Sequence, residues 1–320
     1  MPHYLGIEIG GTKLQLGIGR GAGALAALWR GRVDVAAGPE GIRRQIAMAV
    51  PELLERAKVD RRELEAVGIG FGGPVDDGTE TIIKSHQIEG WDGFPLADWM
   101  HEIVGLPAVL ANDADVAGLA EALFGAGKGW SPIFYITIGS GIGGGLIIDG
   151  QIYRGAGRGA AEIGHLALLP EPGSGDPLLR PLEEYASGWS IARNAVRALE
   201  RAPAGSRLAA FCEEPERLST DEVAKAALEG DELAAAVFCE ARSYLARAIC
   251  HVIALLCPRR IIIGGGVSLI GEELLFKPLR QLVAEQVFRP FAGCYEIVPA
   301  ALGEEVVVHG AVALAKRRFG

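Results

Sequence analysis

The sequence predicts a two-domain α/β protein in which each domain is a mixed sheet with helices and a cleft lies between the halves. Three observations carry this reading. The chain has 320 residues, more than one hydrophobic core usually serves. A hairpin followed by strand–helix units begins near residue 4 and begins again near residue 133. Each hairpin turns on glycine: Gly10-Gly11 in the first half, and Gly139, Gly141, Gly143, Gly144 and Gly145 around Ser140 in the second. A hairpin needs one or two glycines for positive φ, so the larger set suggests that something must lie close against the main chain.

In the first half, residues 4–9 alternate as a strand, 12–19 return, and 25–35 supply a third antiparallel strand. Residues 38–58 place Ile42, Ile46, Ala49, Leu53 and Leu54 at helical spacing. A buried strand over 66–71 ends in Gly72-Gly73-Pro74. A short helix over 94–104, a strand over 108–111 and a helix over 112–124 come next, with Asn112 or Asp113 at the cap. After a linker at 125–129 come strands at 133–138 and 146–148 and helices at 183–199, 220–228 and 232–256. The chain closes through a strand at 260–263 ending in Gly264-Gly265-Gly266, a helix at 272–287, a strand at 295–298 and a helix at 304–318. Segments 171–181 and 201–219 read as loops. The expected domains are a small N-terminal one, 1–113 plus the closing helix 304–320, and a large C-terminal one, 114–303.

Bulk properties exclude several classes. Hydrophobic residues make up 49% and charged residues 22%, the balance of an ordinary globular protein. A net charge of −9, with basic runs no longer than Arg259-Arg260 and Lys316-Arg317-Arg318, argues against a nucleic-acid surface. The five cysteines are scattered without a CxxC pair, as expected of reduced thiols, with Cys250 and Cys257 filling a helix core. The most apolar run, 245–257, contains Arg247 and His251 and is too short to span a bilayer. With no basic region and cleavage site at the N-terminus, a cytoplasmic, membrane-free protein is expected.

Three glycine turns come after strands, at Gly10-Gly11, Gly139–Gly145 and Gly264–Gly266. Bare N–H groups at such turns suit phosphate, and Thr12 and Lys13 add a hydroxyl and a cation to the first. Asp113, between a strand and a helix, can present a carboxylate at a cleft floor, although helix capping alone also explains an Asn-Asp pair. Glu162 and His165 are three apart and face the same way on a helical turn.

Together these stretches resemble the ROK family of sugar kinases and related repressors, which have the actin-like (ribonuclease H-like) sugar-kinase fold. The matching residues are Gly6–Lys13 (GIEIGGTK), Gly68–Val75 (GIGFGGPV), Asn112-Asp113-Ala114-Asp115 with Ala120-Glu121, and Gly139–Gly145 (GSGIGGG). Ala161–His165 (AEIGH), Glu183–Gly188 (EEYASG) and Ile261–Ser268 (IIIGGGVS) complete the set in family order over nearly the whole length. The resemblance implies two actin-like domains around a central cleft and an ATP- and Mg²⁺-dependent hexose kinase, glucose first. Asp113 is then the general base. Gly73, Asn112, Asp113, Glu162, His165 and Glu183 contact the sugar, with Glu184 competing for the last role. Gly10, Gly11, Thr12, Lys13, Ser140, Gly141, Gly143, Gly265 and Gly266 hold the nucleotide. Glu8 holds Mg²⁺ through water. Ser85, His86 and the Glu89-Gly90-Trp91 stretch line the sugar side, Trp91 either stacking on the sugar or serving as core. A homodimer or homotetramer is expected.

Two departures from the family matter. Many members bind a structural zinc with this histidine and three cysteines; here 173–182 contains no cysteine, so no zinc is expected. Prolines at 172, 177 and 181 are left to order that loop. Glu8 stands where aspartate is commoner, which raises fructose as a candidate. Fructokinase, N-acetylmannosamine or N-acetylglucosamine kinase and a catalytically silent sugar binder remain open, as does polyphosphate as donor. A family repressor would carry a helix-turn-helix ahead of the first glycine turn; residues 1–5 leave no room for one, so an enzyme is expected.

Overall fold

The structure is a computed structural model that describes the chain except residues 1, 77, 86–87, 171–177, 202–204, 212–213 and 215–216. Its packing divides it into two compact units. The first comprises Met1–Tyr135, Gly145–Ala161 and Ala300–Gly320, and the second Ile136–Gly144 and Glu162–Pro299. The boundary expected at residue 113 falls between a strand and a helix of the first unit.

The first unit is built on a five-stranded sheet of order β3-β2-β1-β4-β7. Strands β1 (His3–Ile9), β2 (Lys13–Gly19) and β3 (Leu25–Arg32) form an antiparallel meander. Strands β4 (Leu64–Phe71) and β7 (Ala108–Asn112) run parallel to β1. A two-residue hairpin, β5 (Val75–Asp76) with β6 (Thr81–Ile82), comes after β4. Such pairs are too short for periodicity to reveal.

Alternation sorts the two faces of this sheet. Leu5, Ile7, Ile9, Leu14, Leu16, Val67, Ile69 and Phe71 enter one core with Ile42, Ile46 and Leu53 of helix α1 (Gly38–Ala57) and Met100 of α2 (Leu96–Val104). Tyr4 and Ala66 pack instead with Val312 and Ala315 of α9 (Val306–Phe319). The next residues on that face are glycines, and α9 lies against them. A Cβ at Gly68 would sit 1.9 Å from the Ala311 carbonyl oxygen, and one at Gly6 2.7 Å from that of Val308. Helix α3 (Asp113–Phe124) meets α9 the same way, for a Cβ at Gly310 would lie 1.9 Å from the Val116 carbonyl oxygen. Main chain packs on main chain here, so any side chain would displace the helix.

The second sheet has order β10-β9-β8-β13-β14, from β8 (Ile133–Ile138), β9 (Ile142–Ile148), β10 (Gln151–Ile152), β13 (Arg260–Gly264) and β14 (Glu296–Pro299). Strand β9 begins four residues before the stretch at 146–148 that periodicity marked, so Gly143, Gly144 and Gly145 belong to the strand and not to the turn. Part of the glycine excess is packing: a Cβ at Gly145 would come within 2.9 Å of the Ala114 carbonyl oxygen of α3.

The second unit carries the pair β11 (Ala167–Leu168) and β12 (Arg180–Pro181) and helices α4 (Glu183–Ala186), α5 (Gly188–Arg201), α6 (Thr220–Leu228), α7 (Glu232–Leu256) and α8 (Lys277–Gln286). The helix expected over 183–199 is broken at Ser187, whose extended backbone lets its Oγ accept the Ser190 N–H and start α5. The helix expected over 272–287 opens with a π-turn, Glu272–Phe276. Cys257 does not fill a core; it ends α7 in a left-handed conformation, φ 43°. Among the described residues no helix is long and apolar enough to cross a membrane.

Candidate functional site

In the first unit the candidate residues meet at the carboxyl ends of three parallel strands, the edge where open α/β sheets hold ligands. Register puts Ile9 beside Phe71 and Phe71 beside Asn112. The turns beyond the three strands therefore arrive together: Gly10-Gly11 after β1, Gly72-Gly73 after β4, Asp113 after β7.

Asn112 does the capping. Its Oδ1 accepts the N–H groups of Ala114 at 2.8 Å and Asp115 at 3.4 Å, while its Nδ2 donates to the Gly73 carbonyl at 3.1 Å. One side chain thus ties the β4 turn to the start of α3. Asp113 is relieved of the N-cap position, and its Oδ1 accepts the Ala114 N–H at 2.8 Å. A Cβ added at Gly72 would lie 3.4 Å from Asp113 Oδ2 and 3.5 Å from the Gly10 Cα, so the carboxylate and both glycine turns share one small space. Gly72 donates its N–H to the Ile9 carbonyl at 2.9 Å, which locks the two turns together.

Glu8 alternates with Tyr4 and Gly6 and so faces the side of the sheet that α9 covers. Burial pushes its carboxyl up to about 8, Asp113 adds to the push, Lys13 opposes it, and Glu304 adds a little more. Its Oε2 is buried and has no hydrogen-bond partner among the described residues. A buried carboxylate oxygen of this kind fits a hydrated Mg²⁺, whose charge and water donors supply what the protein does not. Lys13 pairs with Glu304 at 3.1 Å. Sequence reasoning missed Glu304, because the partners stand near opposite ends of the chain and only the segment leading into α9 brings them together.

Glu121, part of the Ala120-Glu121 motif, is fully buried. Its carboxylate accepts the N–H groups of Ala126 at 2.7 Å and of Ala301 and Leu302 at 2.9 Å each. It pins the end of α3 to the segment leading into α9, a role its motif did not suggest. Trp91 is core: it is fully buried and meets Phe71 and Phe94 edge-on at 5.6 and 5.4 Å. Ser85 accepts the Ile88 N–H at 3.2 Å, whereas His86 lies outside the described residues.

In the second unit the sheet-end glycines and three polar side chains form a separate group. The β11–β12 pairing and the Leu182 N–H to Leu166 carbonyl bond (3.0 Å) carry Glu183 to His165, Oε1 to Nδ1 being 4.0 Å. Glu184 points elsewhere, to Arg180 at 3.5 Å, which separates the two adjacent glutamates. Glu162 and His165 bracket a single 3₁₀ turn, with the His165 N–H donating to the Glu162 carbonyl. A Cβ at Gly164 would fall 2.0 Å from the Ile142 carbonyl oxygen, so this turn lies directly on the start of β9.

Gly139 donates its N–H to the Gly141 carbonyl, its own carbonyl accepts the Gly188 N–H at 2.8 Å, and a Cβ at Gly141 would lie 3.1 Å from Glu183 Oε2. Space around Gly139 and Gly266 is open. Gly265, with φ +83°, passes the end of β8 so closely that a Cβ would sit 2.5 Å from the Ile138 carbonyl oxygen. Gly143 is strand, and Ser140 is exposed. Among the described residues no three or more His, Cys, Asp or Glu side chains group as metal ligands, while residues 171–177 lie outside them.

The ROK family model matches residues 4–318. The glucokinase of Halalkalibacterium halodurans is 33% identical over 317 residues, covering 98% of this chain and 95% of that protein. The glucokinase of Thermotoga maritima is 32% identical over 317 residues, covering 99% and 98%. The ROK family glucokinase of Streptomyces griseus, solved in complex with glucose and AMPPNP, superposes with a TM-score of 0.83 at 32% identity, covering 98% of this chain and 99% of that one. The chain belongs to the ROK family and has the two-domain actin-like fold of its sugar kinases.

Proposed function

We propose that this protein is an ATP-dependent hexose kinase that transfers the γ-phosphoryl group of ATP to a hydroxyl of glucose, with Asp113 as general base. The observation that carries the reading is the position of Asp113: its carboxylate stands against Gly72 beside the Gly10 turn, at the joint carboxyl end of β1, β4 and β7. With Asn112 capping α3, that carboxylate can serve the sugar hydroxyl, from which it takes the proton as the phosphoryl group transfers.

Gly73, Asn112, Glu162, His165 and Glu183 orient the sugar, acidic groups accepting from hydroxyls and the imidazole offering a donor or acceptor. Gly10, Gly11, Thr12, Lys13, Ser140, Gly141, Gly143, Gly265 and Gly266 hold the nucleotide through main-chain N–H groups and the Lys13 ammonium. Glu8 holds Mg²⁺ through water, and the ion supplies charge neutralisation at the phosphates. The working form is a cytoplasmic homodimer or homotetramer without structural zinc, so metal analysis should find less than about a tenth of an equivalent per chain.

The test is a coupled assay with ATP and Mg²⁺ over glucose, fructose, mannose, N-acetylmannosamine and N-acetylglucosamine, repeated with polyphosphate as donor. Glucose should lead in kcat/KM by about tenfold or more, the discrimination one hydroxyl or acetamide contact supplies. Another sugar in the lead would reassign the substrate. Sugar binding without turnover would make the protein a silent binder.

A further inference from the structure

The C-terminal turn of α9 carries Lys316, Arg317 and Arg318. Helix polarity accounts for basic residues in a last turn, and Lys316 donates to the Gly21 carbonyl at 3.3 Å. It does not account for where Arg317 and Arg318 go. Both line a cavity of about 440 Å³ in the first unit, joined there by Arg154 from the segment after β10. That volume is in the range that small-molecule sites occupy, roughly 300–1,000 Å³. Leu119 of α3 and Leu314 of α9 contribute apolar lining.

Among the described residues lining the cavity three are arginines and one, Glu80, is an acid, in a chain whose net charge is −9. Burial holds the Arg154 guanidinium below its ordinary range and Arg318 lowers it further, so the two cations act on one another. Glu80 sits in a left-handed backbone conformation, φ 50°, which a non-glycine residue rarely adopts. Its carboxyl is pushed up by burial while Arg318 draws it down. Arg317 and Arg318 are exposed and Arg154 is half-buried, so the positive charge gathered here attracts an anion from solvent. Guanidinium forks match the paired oxygens of a phosphate better than any other side chain does.

We propose that Arg154, Arg317 and Arg318 form a binding site for a phosphate-class oxyanion, either inorganic phosphate or the phosphomonoester of a sugar phosphate. None of the residues proposed for sugar or nucleotide lines it. Leu119 lies six residues beyond Asp113, about 9 Å along the α3 axis, so the site is separate from the general base yet on the same helix.

Isothermal titration of the full chain, without sugar or nucleotide, reads this whether or not the protein phosphorylates glucose. One arm uses inorganic phosphate and the other glucose 6-phosphate; the ligand whose binding the arginine variants weaken more identifies the source. The Arg154→Gln/Arg318→Gln double variant should bind at least about tenfold more weakly, Arg154→Lys should fall between, and Lys277→Gln on the exposed surface of α8 should match wild type. Should the double variant fail to fold by circular dichroism, Arg317→Gln paired with Arg154→Lys gives the same contrast. The proposal falls if neither ligand binds at about 10 mM. It also falls if folded arginine variants bind as wild type does, or if Lys277→Gln loses as much affinity as they do.

Discussion

The two candidate groups are built by different means. In the first unit the site is main-chain architecture: three strands in register end together, and Asn112 joins two of the turns. Glu8 is held out of water there. In the second unit the group rests on a two-residue strand pair and single turns. The His165 side chain is 56% exposed and that of Glu183 34%. A rigid, desolvated floor suits proton transfer and charge placement, where small displacements are costly. Exposed side chains on short turns suit recognition, where one contact can change while the frame stays. On the proposed roles, the first group would serve chemistry and the second specificity.

Substitutions can break that contrast from its strongest point downward. Asp113→Asn should lower kcat by about 10³-fold while KM for the sugar changes little, the range general-base loss covers. Turnover near wild type would remove Asp113 from the mechanism. Gly68→Ala forces a methyl into the Ala311 carbonyl and should cost about 3 kcal/mol or more by urea denaturation, as overpacking in a dense core does. Unchanged stability would mean that α9 can shift away from β4.

Glu183→Gln should raise the sugar KM by about tenfold, whereas Glu184→Gln, whose carboxylate faces Arg180, should change it less than about twofold. Equal effects would erase the distinction the structure draws between these neighbours. The smallest effect concerns His3, whose Nε2 accepts from Arg20 at 3.1 Å and which is therefore neutral. Burial, then Arg20, hold its pKa below the ordinary 6.5, with Glu63 opposing. The unfolded chain then binds more protons than the native one, so stability is fully present above pH 6.5 and drains as pH falls through the lower folded value. The His3 share is read as the difference in Tm between wild type and His3→Gln from pH 7.5 to about 5, which should change as pH falls below 6.5 and not above it, whatever Glu8 contributes to both.

Much of the layout was legible because burial writes itself into periodicity. Strands β1, β2, β4, β7 and β8 and helices α1, α3, α6 and α7 stand within a residue or two of their expected places. The two-residue pairs were not legible, since a strand of two residues has no alternation to detect. The glycines were legible as a set but not in their separate causes. Gly68, Gly145 and Gly310 are bare because main chain crosses them, while Gly139 and Gly266 have open space beside them. Sequence spacing cannot distinguish a glycine that admits a helix from one that admits a ligand.

The sequence alone determined the duplicated strand–helix order, the family and the residues worth naming, because hydrophobic period and turn chemistry are local properties of the chain. Tertiary structure alone decided that Glu8 is desolvated beside Asp113, that Glu183 and not Glu184 meets His165, that Trp91 is core, and that Arg154 joins the last turn of α9. Glu8 and Arg154 meet their partners only once α9 lies in place in the first unit. Trp91 is enclosed only by its packing on Phe71 and Phe94, and Glu183 reaches His165 only through the β11–β12 pairing.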